Sequence, residues 1–151
     1  MLAHLQPVRD PFERAIAELE RGDAAAAVTG FTTMLHAARS DEACARIYNK
    51  RGVAYVRLGE REQGLRDFSE ALAVVPRFAP ALANIGNLLL EDGAFDDAIV
   101  HYEAAIRADE TYAIAHLNLS VAYRKTGRRA AAVRELRLAH RLEGRGIFRR
   151  R

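Results

Sequence analysis

The sequence predicts an all-α chain of four antiparallel helical hairpins, and three observations carry that prediction. Gly59, Gly93 and Gly127 stand 34 residues apart, each closing one apolar-periodic segment and followed within a few residues by another. Residue sizes repeat at the same period, small in some columns and large in others. Short β-rich runs such as "VAYV" lie inside a helical period and show no apolar–polar alternation, so no strand competes.

The hairpins are expected at roughly 8–44, 45–78, 79–112 and 113–146, within a single domain 1–151 that ends in a basic tail, 147–151. In the first, Gly22 precedes Gly59 by 37 residues, and the three extra residues are assigned to the loop around "ARSDE". The second closes at Pro76 in "VVPRFAP", because proline stops the helix before it. In the third, "GAFDDA" places Asp96 and Asp97 in the first turn of a helix, where negative charge favours the dipole and caps the end. In the fourth, Gly144 ends the pattern and no full helix is expected after residue 143. The outer face of that hairpin is then left without a polar cap, covered in part by Ile147 and Phe148, and weak self-association through it is expected. Each glycine of the 34-residue series falls where a left-handed residue ends a helix.

Glycine inside a helix costs about 1 kcal/mol relative to alanine, so Gly52 and Gly86 need a reason. They share a column with Ala15 and Ser120, facing second columns of Ala27, Gly64, Ala98, Ala132 and Met34, Ala71, Ala105, Ala139. Small residues let two helices approach closely, which offsets the lost propensity. Phe31, Phe68, Tyr102 and Leu136 form the complementary large column, with Tyr55, Leu89 and Tyr123 on the facing helices. The run "YNKRGVAYVRLGEREQGLRDFSEALAVVP" follows a small–Gly–Ala–aromatic–Ala–Pro pattern and resembles the tetratricopeptide repeat family over residues 45–143. The first hairpin departs from it at Glu18 and Met34. The resemblance implies a right-handed superhelical solenoid whose first helices line a concave groove, and a non-catalytic protein-binding adaptor.

The 151 residues are 50% hydrophobic and 28% charged, as in soluble globular chains. The start shows no secretory leader and no stretch nears 18 apolar residues, so a cytoplasmic protein is expected. Cys44 is alone and reads as a small core residue. His4, His36, His101, His116 and His140 form no metal-ligand spacing and read as helix-surface or partly buried residues. No phosphate-binding glycine loop or nucleophile–base spacing is present, so no catalytic residue, metal or cofactor is expected. The net charge of +3 is uneven: residues 128–151 hold nine arginines against Glu135 and Glu143, or +7, leaving −4 for residues 1–127. That end reads as a solvated face and tail. Nucleic-acid or anionic-membrane binding through it is the alternative function.

The groove face, read from the helical period, offers Asn49, Lys50, Val53 and Arg57 in the second hairpin, Asn84 and Asn87 in the third, and Asn118, Val121, Arg124 and Lys125 in the fourth. Asn84 and Asn118 occupy equivalent places one hairpin apart, and an amide that donates and accepts suits an extended peptide backbone. The cations around them favour an acidic protein or peptide partner. The carboxylate clamp of chaperone-binding relatives is matched only in part, since Ile114 and Asn118 stand where that clamp has basic residues.

Overall fold

The computed structural model describes residues 10–148, with side chains described through residue 144. The described residues form eight helices and no strand: α1 (Pro11–Glu20), α2 (Ala24–Ala37), α3 (Asp41–Arg57), α4 (Arg61–Val74), α5 (Ala79–Glu91), α6 (Phe95–Ala108), α7 (Ala113–Lys125) and α8 (Arg129–Phe148). The chain divides into two compact units, Met1–Val75 with α1–α4 and Pro76–Arg151 with α5–α8. The tail beyond residue 148, and the side chains of Ile147 and Phe148, lie outside the described residues.

Within each hairpin one turn recurs. Gly22, Gly59, Gly93 and Gly127 have φ of 89°, 83°, 79° and 76°, the left-handed region that a residue with Cβ adopts at a cost. At the second of these, Glu60 N–H reaches the Tyr55 carbonyl at 2.9 Å and Gly59 N–H reaches Val56 at 3.0 Å. This pair of bonds defines the Schellman ending, and it repeats at the other three glycines. The acidic residues beyond these turns act less uniformly than expected. Asp23 caps α2 through its side chain, accepting from Ala26 N–H at 3.0 Å, whereas Glu60 and Ala94 make no side-chain cap bond. Asp96 and Asp97 sit in the first turn of α6 without capping it, and Asp96 instead accepts from Arg128 at 3.0 Å.

The three extra residues of the first hairpin lie in a helix and not in the loop around "ARSDE". Only residues 38–40 separate α2 from α3, and α3 begins at Asp41, one turn earlier than the pattern of α5 and α7 requires. Ser40 accepts from Ala43 N–H at 3.2 Å, and Asp41 and Glu42 place negative charge in the first turn. A capping serine followed by two acids starts a helix where the later hairpins have Pro76 or Asp109 in the connection. At the other end, α8 runs through Gly144 and Gly146 to Phe148, longer than the interval ending at 146.

The internal glycines are occupied contacts. A Cβ on Gly86 would lie 2.7 Å from Tyr102 Cε1, and one on Gly52 would lie 2.7 Å from Phe68 Cε1. In α3–α4 the helices also meet at Gly64, where a Cβ would come within 2.9 Å of the Gly52 carbonyl. The large column is therefore seated on the small one, and Phe31, Phe68 and Tyr102 are fully buried. Leu136 departs from this column at 38% exposure, because nothing among the described residues packs over α8 as α7 packs over α6. The first unit gathers Ala15, Leu19, Ala27, Phe31, Ile47 and Ala54 into one core; the second gathers Ala83, Ala98, Tyr102, Ala105, Leu119 and Ala122.

Candidate functional site: the amide face of α5 and α7

Residues at i, i+4, i+7 and i+11 share one face of a helix, so Ile114, Asn118, Val121 and Lys125 line one side of α7. On α5 the equivalent set is Pro80, Asn84, Asn87 and Glu91. A bond holds the two faces together: Asn118 Nδ2 donates to Asn87 Oδ1 at 2.8 Å. The same oxygen accepts from the Tyr102 hydroxyl of α6 at 2.7 Å. Two donors thus converge on one carbonyl and tie three helices together. Burial, with a smaller contribution from the negative charge of Glu91, holds the Tyr102 phenol well above its ordinary range, so it remains a donor at any physiological pH.

This geometry changes the roles of several expected groove residues. Asn87 and Asn118 are half-buried and bonded to each other, so the amide ladder is also a structural tie. One bond uses a single donor of the Asn118 amide, which carries two donors and an acceptor. Asn84 and Val121 are half-buried and Lys125 is exposed, all in the same unit. Arg124 turns toward the groove between α7 and α8, where it lines a cavity with Ser120 and Leu136.

In the first unit the expected face is mostly spent on packing. Asn49 is buried at 5% exposure and does not face a groove, because α3 turns that position inward as α5 does Ala83. Val53 packs against the core, and Arg57 donates to the Leu19 carbonyl at 2.7 Å, anchoring α3 to α1. Lys50 is half-buried.

Sequence reasoning missed three arrangements. Arg51 Nε and Nη2 donate to the two Asp67 carboxylate oxygens at 2.7 and 2.8 Å, and Nη1 donates to Thr32 Oγ1 at 3.1 Å. The hydrogen bonds to Asp67 hold the Arg51 guanidinium above its ordinary range, against the opposing effect of burial. His116 is buried at 6% exposure, with Nδ1 2.7 Å from Glu135 and Nε2 3.1 Å from the Glu110 carbonyl. Both its nitrogens face oxygens, which fixes the ring between α7 and α8. Ile114 is 51% exposed beside Asn118, an apolar residue on the amide face. Cys44 is half-buried and not a core residue. No cluster of three or more metal-ligating side chains occurs among the described residues.

Comparison with known proteins bears on these hairpins directly. A family model described as TPR repeat matches residues 86–127, from the α5 glycine to the turn before α8. Over those residues the chain carries a tetratricopeptide repeat. Among solved structures, MamA shares the fold with a TM-score of 0.70 at 20% identity over 91% of this chain and 78% of that one. YrrB, a TPR protein with an unusual peptide-binding site, aligns with a TM-score of 0.63 at 19% identity over 89% of this chain and 68% of its own. The second TPR of Spaghetti (RPAP3), bound to the HSP90 peptide SRMEEVD, aligns with a TM-score of 0.61 at 20% identity over 66% of this chain and 92% of its own. No helix among the described residues is long and apolar enough to cross a membrane.

Proposed function

We propose that this tetratricopeptide-repeat chain is a non-catalytic cytoplasmic adaptor that binds a peptide segment of a partner protein on the amide face of α5 and α7. The observation that carries this reading is the Asn118–Asn87 bond, which ties the matching faces of α5 and α7 together. Asn84 and Asn118 engage the peptide backbone, Ile114 and Val121 receive an apolar side chain, and Lys125 favours an acidic one. The peptide-binding site of YrrB and the peptide bound to the RPAP3 domain support the class of ligand, not its identity.

The test is selection of extended peptides from a displayed library on the intact chain, followed by titration of the selected sequences. Removing two hydrogen-bonding amides at about 0.5–1.5 kcal/mol each predicts roughly ten-fold weaker binding for Asn84→Ala, Asn118→Ala. Lys125→Ala is expected to erase a preference for acidic peptides. Retention of binding by the double asparagine variant, with loss in Arg149→Ala, Arg150→Ala, Arg151→Ala, would move the site to the basic terminus and refute the proposal.

A further inference from the structure

Among the described residues, two surfaces lack the neighbour that the repeat pattern gives their equivalents. In the second unit α7 packs over α6, and Ile99 and Tyr102 are 4% and 0% exposed. The residues 34 positions later, Val133 and Leu136, are 46% and 38% exposed, since α8 packs chiefly against α7 and no later helix among the described residues covers it. The result is a groove of about 320 Å³ lined by Ser120, Arg124, Arg129, Ala132, Val133 and Leu136. Its floor is aliphatic and its rim carries two cations. In the first unit α1 packs against α2 and presents a concavity of about 290 Å³ lined by Asp10, Glu13, Ile16, Ala17 and Glu20. There three acids surround two apolar residues.

We propose that these surfaces bind each other between copies of this chain: α1 of one molecule seats in the α7–α8 groove of the next, as α7 seats on the α5–α6 hairpin. Ile16 and Ala17 cover Val133 and Leu136, while the acids of α1 meet Arg124 and Arg129. The register comes from a contact already present. Arg57 of α3 reaches back to the Leu19 carbonyl of α1 at 2.7 Å, and the repeat equivalents of Arg57 and Leu19 are Glu20 and Arg124. Continuing the pattern across two molecules therefore sets Glu20 of one against Arg124 of the other. The cations of α1 do not oppose this: Arg21 pairs with Glu18, and Arg14 lies over the α1–α2 groove with Gly30 and Met34. The two faces differ, so the contact is head to tail, leaves one end of each kind unused, and grows with concentration. It involves a surface distinct from the amide face, and either proposal survives failure of the other.

Sedimentation of the intact chain over a rising concentration series, at low salt and at about 0.3 M salt, reads this contact. The wild type is expected to gain weight-average mass with concentration and to lose it with salt. Glu20→Arg and Arg124→Glu each remove at least most of that gain. Mixed together, the two single variants match at both ends, and growth returns with the two chains alternating. The chain carrying both changes regains growth. Helical circular dichroism of each variant confirms folding, since both positions are exposed. A wild type that stays monomeric at about 1 mM in low salt overturns the proposal, as affinity weaker than that is only about 4 kcal/mol. So does loss of association in Arg124→Glu with none in Glu20→Arg, which would mean that the α7–α8 face pairs with itself.

Discussion

Replacing Gly86 with alanine sets helix propensity against packing. An alanine in a helix interior is worth about 1 kcal/mol over glycine, so an unconstrained glycine there is stabilised by the change. At Gly86 the new Cβ would stand 2.7, 2.9 and 3.1 Å from Cε1, Cδ1 and Cζ of Tyr102, where ordinary contact begins at 3.4 Å. The ring must retreat by about 0.7 Å to relieve the closest of these. It has little room to do so, being fully buried with its hydroxyl fixed on Asn87 at 2.7 Å. Overpacking of this kind costs about 1–3 kcal/mol, and strain on the Asn87 tie pushes the cost toward the upper end. After the propensity gain, Gly86→Ala is expected to lose about 1–2 kcal/mol. For a chain of this size that lowers the melting temperature by about 2–8 °C. The assay is thermal unfolding followed by circular dichroism, with Gly144→Ala as its counterpart: a Cβ there would meet nothing within 4 Å, and that variant should be stabilised by up to about 1 kcal/mol. If Gly86→Ala melts as high as Gly144→Ala, the glycine is not a packing contact and the reasoning fails.

Other perturbations follow from the same contacts. Asp67→Ala leaves the Arg51 guanidinium without its carboxylate in a site where the two side chains are 16% and 5% exposed, and should cost about 3–5 kcal/mol in denaturant unfolding. Changing Arg51 and Asp67 together to apolar residues of similar size should cost far less. Alkaline pH should also weaken the fold. Burial raises the Tyr102 and Tyr112 phenols, and burial followed by the Glu103 hydrogen bond pushes Tyr123 up to about 12. Unfolded tyrosines release their protons near pH 10 while the folded ones still hold theirs, so stability is complete below about pH 10 and falls as pH rises beyond it. Tyr102→Phe should make that fall shallower in a series of unfolding curves from pH 8 to about pH 11. Asn118→Ala should lower stability by about 0.5–1.5 kcal/mol as well as weaken binding, because its amide bonds to Asn87.

Much of the fold was legible because its determinants are local. A glycine that must take positive φ and a glycine that must admit a ring recur at fixed spacing, and both Gly93 and Gly86 could be picked out from the period. The start of α3 was not, because a serine followed by two acids suits a loop as well as a helix cap until the preceding helix is known to end at Ala37. The site was harder to read, since a period gives the side of a helix but not the depth of its neighbours. Asn49 and Asn84 are both expected on the groove face, yet Asn49, the equivalent of Ala83, is buried and Asn84 half-buried. Asn87 looked like a ligand contact and proves to be the acceptor that ties α5, α6 and α7. Charge partners distant in sequence, such as Arg51 with Asp67, leave no mark on a period at all.

The Arg51–Asp67–Thr32 arrangement also distinguishes one repeat from another. The positions equivalent to Arg51 in the later hairpins are Ile85 and Leu119, and Leu119 is a core residue. Near-identical hairpins invite mispairing during folding, in which one segment takes the place of another of similar shape. An α5 or α7 set against α2 and α4 would bury Asp67 with no cation to meet it. An α3 set where α7 belongs would press a guanidinium into the alanine and tyrosine core of the second unit. A single polar triad thus acts as an address label, making the repeats non-interchangeable although their backbones are alike.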